Sequence, residues 1–500
     1  MHWLRYVTLK TWEPLIVTLP YPLLLQKTAR EALDISMKDH IIIIDEAHNL
    51  MDAITGIYSV SVSLSQLQRS RSQLTTYLQK FRNKLKGKNR VYVAQTVRLL
   101  DSLIGYLQDT AAHAQEAEGV VQAGDLMAGK GVDQINLYKL LRYLNESKLA
   151  RKVDGYIVYT EEQEKAKDQH PRAEGRFFYA KNDEDLGLCL KYMLLDPTHH
   201  FREIVEDARA VILAGGTMSP MSDYSQHLLS YLPPSRIMTV SCGHVIPPSN
   251  LLAWPVTTGP SGAPFDFTFE KRNTEATITD LGSAILSFIS SIPDGVVVFF
   301  PSYAYLDRCI EVWRRAAGPG QQAKSTYDAL AAAKPVFHEA KGAGAAAADS
   351  VLSAYGAAVA AGGGRGALLL AVVGGSLSEG INFADGLGRG VAVVGLPFPN
   401  ARSAEWRARL AHVARRAGGS RDAATDFYEN ACMRAVNQCV GRAIRHRGDY
   451  ASILLLDRRY EGERIRAKLP GWIRASLRKG EGVEGVRRGL VEFFEGKKEG

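Results

Sequence analysis

The chain has 500 residues, 46% of them hydrophobic and 23% charged; that is ordinary globular composition with room for about three domains, and it excludes a disordered chain, a collagen and a mini-protein. Sixty-one Lys and Arg against 53 Asp and Glu leave a net charge of +8, a lean toward a polyanionic partner that does not by itself require one. Five cysteines without a Cys-x-x-Cys spacing exclude a disulfide framework and a four-cysteine zinc site and point to a reducing compartment, and no run approaches the ~18 apolar residues of a membrane span.

In chain order, short apolar runs end abruptly in polar residues or glycine, the pattern of strands buried on both faces of a parallel sheet. They are Ile41 to Ile44, Ala210 to Ala214, Val296 to Phe300, Ala367 to Val373, Val391 to Val394 and Ile453 to Leu456. Helical segments in the long intervals make the fold class α/β. The first pair of runs ends near residue 220 and the other four begin near 290, so two parallel-sheet lobes are expected.

Between the first two runs, residues 61–200 carry helical spacing in QLQRSRSQLTTYLQKFRNKLK and INLYKLLRYLNESKLARK. They read as a mostly helical insertion, with a loose Ala/Gly/Gln-rich loop at 111–132. Residues 341–366 hold 10 Ala and 7 Gly, too little side chain to specify a core, and a poorly ordered surface segment is expected there.

Three constellations carry chemistry. Asp45-Glu46-Ala47-His48 follows four isoleucines. Ligands of open parallel sheets sit beyond the carboxyl ends of strands, where an Asp can serve a nucleotide's Mg²⁺ and a neighbouring Glu can polarise a water. The alternative is that Asp45 and Glu46 cap the next helix. Four specified residues arise by chance about 0.003 times in such a chain at ~1 in 20 per position, which favours chemistry.

In Gln438-x-x-Gly441-Arg442-x-x-Arg445, continued helix would put 438, 442 and 445 within about 60° of one another. That face would present an amide and two guanidiniums to a phosphate; a solvated basic face is the competing reading. Gly374 to Phe383 (GGSLSEGINF) closes a strand with glycines that let backbone amides approach a phosphate, and a plain turn explains them equally well. Gly215 to Pro220 reads the same way. Scattered nucleic-acid candidates are Arg202, Tyr303, Tyr305, Arg308, Arg402, Trp406, Arg407 and the basic stretch from Arg69 to Lys88, since aromatic and basic groups together stack bases and follow phosphates.

Taken in order, IIIIDEAHNLMD, AVILAGGTMSPMSDY, VVVFFPSYAYL, GGSLSEGINFADGLGRGVAVVGLPFPN and QCVGRAIRHRGDYASILLLDRRY resemble motifs II to VI of the XPD-like superfamily 2 DNA helicases. VTLPYPLLLQKTAREALDISMKDHIIIIDEAHNL and GLPFPNARSAEWRARL are most similar to the branch associated with chromosome loss and sister-chromatid cohesion. The resemblance implies a nuclear, ATP-dependent helicase moving 5′ to 3′ on single-stranded or forked DNA. It implies two RecA-like lobes with an arch-like insertion: residues 1–60 and 201–235 for lobe one, 61–200 for the arch and 236–500 for lobe two. It also implies cohesion or replication proteins as partners and no membrane.

Carried over by position, Asp45 would hold Mg²⁺ through water, Glu46 would serve the attacking water, and Gln438, Arg442 and Arg445 would meet the γ-phosphate. His48, Gly380, Asn382 and Gly441 would line the nucleotide. Ser302, Tyr303, Ser378 and Glu379 would face nucleic acid. Two family features are missing from these 500 residues: a Gly-Lys-Thr/Ser phosphate loop, and the four close cysteines of a [4Fe–4S] cluster. The chain therefore reads as the carboxyl-terminal part of a helicase, with lobe one short of strands, apolar edges exposed and negligible ATP hydrolysis of its own. The alternative is a non-catalytic DNA- or partner-binding module.

Overall fold

A computed structural model describes residues 16–497 except 86, 114–115, 129–130, 150–174, 182–187, 316–324, 343, 362–364 and 378–382. The chain divides into two compact units. The first runs to Leu213 and takes in His227–Leu229 and Arg402–Arg409; the second comprises Ala214–Gln226, Ser230–Ala401 and the chain from Leu410 onward.

In the first unit, β1 (Ile41–Ile44) forms because four β-branched residues favour extended backbone. It was expected to be buried on both faces, yet only Ile44 is buried, while Ile41 and Ile43 are exposed. Its single partner in a two-stranded parallel sheet is Ala210–Leu213, whose Ile212 is also exposed. The apolar edges expected of lobe one are present.

Among its described residues the insertion is mostly helical, as expected, but it is not all-helical. Beside the helices Leu64–Lys80, Gly87–His113 and Leu137–Ser147, it holds an antiparallel sheet. Its strands are β2 (Val60–Ser63), β3 (Glu118–Val121), β4 (Gly175–Lys181) and β5 (Leu188–Leu194), in the order β2-β5-β4-β3. GRFFYAK and LCLKYML mix aromatic with basic residues, and cross-strand pairs such as Phe177 with Tyr192 hold them together. The expected loose loop at 111–132 contains β3 and the short helix Ala123–Met127. Ala210–Leu213 is β6.

The second unit is built on a seven-stranded parallel sheet. In chain order its strands are β7 (Leu251–Thr258), β8 (Val296–Phe300), β9 (Val336–His338), β10 (Leu368–Val372), β11 (Gly390–Val394), β12 (Ala451–Leu456) and β13 (Glu481–Gly482); across the sheet they run β13-β7-β12-β11-β8-β10-β9. The four runs read from the sequence are β8, β10, β11 and β12, buried throughout. Alternate side chains supply opposite faces. Val296, Val298 and Phe300 join the core beneath the helices Glu275–Ile289, Tyr303–Arg314 and Val483–Glu495. Val297 and Phe299 join the core on the other side, with the helix Arg421–Val440.

β7 was not among the runs read from the sequence, and Pro255 in LLAWPVTT argues against a central strand. It is tolerated because β13 meets β7 only at Val256 and Thr258, so no ladder donor is required of residue 255 on that side. Where a poorly ordered segment was expected within 341–366, Ala345–Ala361 form a helix that buries Tyr355 completely. Among the described residues no helix is long and apolar enough to cross a membrane.

Candidate functional site

In the first unit, β1 ends in Asp45 and Glu46. Asp45 Oδ1 accepts from the Glu46 amide at 2.9 Å, and neither side chain caps the helical turn Ala47–Asn49 or the helix Leu50–Ile57 that follows. The helix-capping reading fails on that geometry. Glu46 sits in the left-handed region, φ 48° and ψ 41°, a strained conformation for a side chain of this size, of the kind that collects at functional sites. Its carboxylate is 64% exposed and lies 3.1 Å from His48 Nδ1. Tyr21, which the sequence reading did not single out, donates its hydroxyl to the Asp45 carbonyl at 2.5 Å. Burial, then the nearby Asp45 and Glu46 charges, raise that phenol above its usual range. Two exposed carboxylates at a strand end are hard oxygen donors of the kind Mg²⁺ takes, so the residues present fit that ion.

In the second unit the candidate residues fall at opposite edges of the parallel sheet. At the carboxyl edge, β8 leads through Pro301 to Ser302, whose Oγ accepts from the Tyr305 amide and caps the helix Tyr303–Arg314. Ser302 is therefore engaged as a cap. Tyr303, half-buried, donates its hydroxyl to Glu339 Oε1 at 2.7 Å; burial and that carboxylate push its phenol up to about 12, so it stays a donor. Tyr305 was offered as a nucleic-acid candidate, but it is buried in the core and bonded to the Arg272 carbonyl, which removes it as a stacking surface.

The adjacent strand β10 runs into Gly374, φ +72°, which turns the chain. The amide of Leu377 points inward to Glu339 Oε1 at 3.2 Å, and Val372 donates to Glu339 Oε2 at 3.0 Å. In the described part of this turn the Leu377 amide is taken by the protein's own carboxylate, carried just beyond β9, and the Gly375 amide by the Val372 carbonyl. Glu339 was invisible in the sequence. Ser378, Glu379, Gly380 and Asn382 lie outside the described residues.

At the amino edge, residues 441–450 precede β12. The helix carrying Gln438 stops at Val440 with Gly441 as its C-cap, so Arg442 and Arg445 lie on the following turns and not on one helical face with Gln438. The turn is held by Asp449, which is wholly buried. Its carboxylate accepts from Arg445 N at 3.2 Å, from Tyr450 N at 3.0 Å and from Arg389 Nη1 at 2.8 Å. Gly441 leaves no spare room, since a Cβ there would lie 3.0 Å from Thr217 Cγ2. The Gly215 to Pro220 segment is likewise pinned to this helix: Asn437 donates to the Ser219 carbonyl at 3.1 Å, while buried Asp223 takes Asn430 at 2.6 Å and an ion pair from Arg434. Because β10 and β11 are parallel, residues 373–389 must cross from the carboxyl edge to the amino edge. Asp385 and Arg389, at the far end, meet His446 at 2.8 Å and Asp449.

Asp385, His446 and Asp449 are close enough together to suggest a metal, but the Asp449 carboxylate already compensates the Arg389 guanidinium and accepts from two amides, and a second cation beside that guanidinium is disfavoured. A [4Fe–4S] cluster does not fit either. Cys309, Cys432 and Cys439 are buried thiols pushed above their ordinary range by desolvation, and no cysteine joins a potential ligand group among the described residues. Other basic candidates are paired: Arg202 with Glu206, Arg308 with Glu275 and Glu311, and Arg407 with Glu116.

Residues 9–67 match the family model described as DEAD_2, and residues 285–476 match the helicase C-terminal domain; with the parallel sheets, these define a chain of the helicase class. The chain is 53% identical to the ATP-dependent DNA helicase chl1 of Neosartorya fischeri over 97% of its own length and 60% of that protein. It is 42% identical to that of Schizosaccharomyces pombe over 97% and 60%, and it covers 67% of the Aspergillus clavatus chl1 helicase at 53% identity. In fold it is similar to Xpd4 of S. tokodaii, with TM-score 0.56 and 17% identity over 92% of this chain and 81% of that one. The chain belongs to the CHL1 family of DNA helicases, with a fold like that of the XPD helicases. It spans about 60% of the length of several of these relatives.

Proposed function

We propose that this chain supplies the water-activating carboxylates, the arginine turn and part of the DNA path of an ATP-dependent helicase that moves 5′ to 3′ on single-stranded or forked DNA. We place it in the nucleus, in chromosome cohesion and genome maintenance, with cohesion or replication proteins as partners. The observation that carries the reading is Glu46: an exposed carboxylate in a strained left-handed conformation beside Asp45, at a strand's carboxyl end and serving no cap. Neither a helix start nor a core needs that arrangement. A water held there would lose a proton to Glu46.

Bound ATP with Mg²⁺ supplies the phosphoryl group that transfers. The chain contributes oxygen donors at Asp45, a polar neighbour at His48, and an amide and guanidinium charge from Gln438, Arg442 and Arg445 near Gly441. Gly380 and Asn382 belong to the same nucleotide-facing set, and Ser302, Tyr303, Ser378 and Glu379 to the DNA-facing one.

These 500 residues contain no Gly-Lys-Thr/Ser loop, and loop amides with a lysine provide much of the positioning and charge stabilisation in phosphoryl transfer. The chain by itself is therefore proposed to hydrolyse ATP negligibly, which favours, for the chain in isolation, the second reading of a DNA- or partner-binding module. The test is ATP hydrolysis by the purified chain with and without single-stranded DNA, alongside Glu46→Gln. Rates at background in both support the inactive chain; DNA-stimulated turnover that Glu46→Gln abolishes overturns it and leaves the catalytic reading standing for these residues alone.

A further inference from the structure

Glu339 is 4% exposed, and among the described residues no cationic side chain pairs with it. Its charge is compensated by three donors: the Tyr303 hydroxyl and the Leu377 amide on Oε1, and the Val372 amide on Oε2. A buried carboxylate is expensive unless hydrogen-bonded in this way. All three partners are donors, so only a group that accepts on both atoms satisfies them; an amide side chain would place its NH₂ against a donor. A Cβ at Gly375 would lie 2.6 and 2.7 Å from the two Glu339 oxygens and 2.7 Å from the Tyr303 hydroxyl, so a larger residue there would displace one or both of these side chains.

The three donors come from two separate stretches of chain, the start of the helix after β8 and the end of β10 with its turn. Tyr303 opens the helix after β8, and Leu377 lies in the turn after β10, 36 and 38 residues from Glu339. Adjacency of β8, β10 and β9 brings these stretches to one edge. Gly374 and Ser376 are exposed above the carboxylate, and Tyr303 is half-buried beside them.

We propose that Glu339 is a positioning residue for single-stranded DNA, its carboxylate locking the Tyr303 ring and the Gly374 to Leu377 turn into the one arrangement a strand can lie against. This rests on the reading of Tyr303 and the following turn as DNA-facing. The ring supplies a stacking surface, and the hydroxyl bond to Glu339 fixes its orientation. The carboxylate also removes the turn's inward amide, that of Leu377, from competition for phosphate.

The experiment is fluorescence anisotropy of a labelled oligothymidylate with the 500-residue chain at fixed salt, for wild type, Glu339→Gln, Tyr303→Phe and the double variant, with Tm measured on each. Glu339→Gln should bind about tenfold more weakly, the scale of one base-stacking contact. Tyr303→Phe, which keeps the ring and loses only the hydroxyl, should weaken binding severalfold. The double variant should bind no more weakly than Glu339→Gln, because both substitutions disturb the same hydrogen-bonded cluster and their effects are not additive. Tyr355→Phe, on another helix of the same unit, serves as the control for stability loss alone and should bind as wild type.

Folded Glu339→Gln and Tyr303→Phe proteins that bind within twofold of wild type overturn the proposal and leave the helicase reading intact. Wild type that does not bind the oligonucleotide overturns both. If Glu339→Gln fails to fold, Tyr303→Phe decides: weakened binding supports the proposal and unchanged binding sinks it.

Discussion

The guanidinium of Arg389 and the carboxylate of Asp449 form a buried ion pair at 2.8 Å, with side chains 10% and 0% exposed. Arg389 also donates to the Tyr450 carbonyl at 2.9 Å and lies 3.8 Å over the Tyr450 ring. The pair joins the end of the crossover before β11 to the turn before β12, and the Asp449 carboxylate that receives Arg389 also receives the Arg445 amide. Removing one member of such a pair leaves a buried charge without compensation and costs about 3–5 kcal/mol. Asp449→Ala should therefore lower the urea midpoint of the second unit sharply. Replacing both, Arg389→Met with Asp449→Leu, should recover much of the loss. A double variant as unstable as Asp449→Ala would show that the backbone bonds to Asp449, and not the charge pair, dominate.

The helix Ala345–Ala361 depends on one large side chain. Tyr355 is completely buried, and its hydroxyl donates to the Leu387 carbonyl at 2.7 Å, tying an alanine-rich helix to the crossover before β11. Tyr355→Phe should cost about 1 kcal/mol, the net worth of one hydrogen bond. Tyr355→Ala should cost about 3–5 kcal/mol through the cavity it leaves and should expose residues 345–361 to protease. A Tyr355→Ala protein with wild-type stability and protection would mean that the helix is held by its alanines instead.

That helix also shows where sequence reading stops. Alanine and glycine counts over 341–366 carry no trace of the bond between Tyr355 and Leu387, because a single contact 32 residues away leaves no periodicity. Glu339 is hidden for the same reason: one carboxylate in VFHEAKG acquires its role only when β8, β10 and β9 lie side by side. β8, β10, β11 and β12 were legible because each is a continuous apolar run with both faces covered. β4 and β5 were not, since their lysines and arginine interrupt the apolar signal that one-sided burial would otherwise leave. In the arginine motif the residues were legible and their geometry was not: QCVGRAIRH keeps helical spacing through Gly441, but the backbone leaves the helix there, and buried Asp449 receives the Arg445 amide on the turn that follows.

Asp266 gives the second unit an acid-sensitive joint. Its carboxylate is 9% exposed and accepts from Lys271 at 3.0 Å, from Arg458 at 2.8 Å and from the Thr268 amide at 3.2 Å. Burial pushes the carboxyl up, but the hydrogen bonds from Lys271 and Thr268 outweigh it and hold the group at about 2, against 3.8 for an unperturbed one. Because the folded value lies below the unfolded one, the unfolded chain binds the proton first as the pH falls. The stabilisation is fully present above about pH 4 and is lost as the pH falls toward 2, while Lys271 and Arg458 remain charged throughout. Thermal melts of wild type and Asp266→Asn from pH 6 to pH 2 test this. Wild type should be the more stable above pH 4, and the gap should close as pH 2 is approached; a gap that is constant across the range would show that Asp266 contributes through shape and not through its charge.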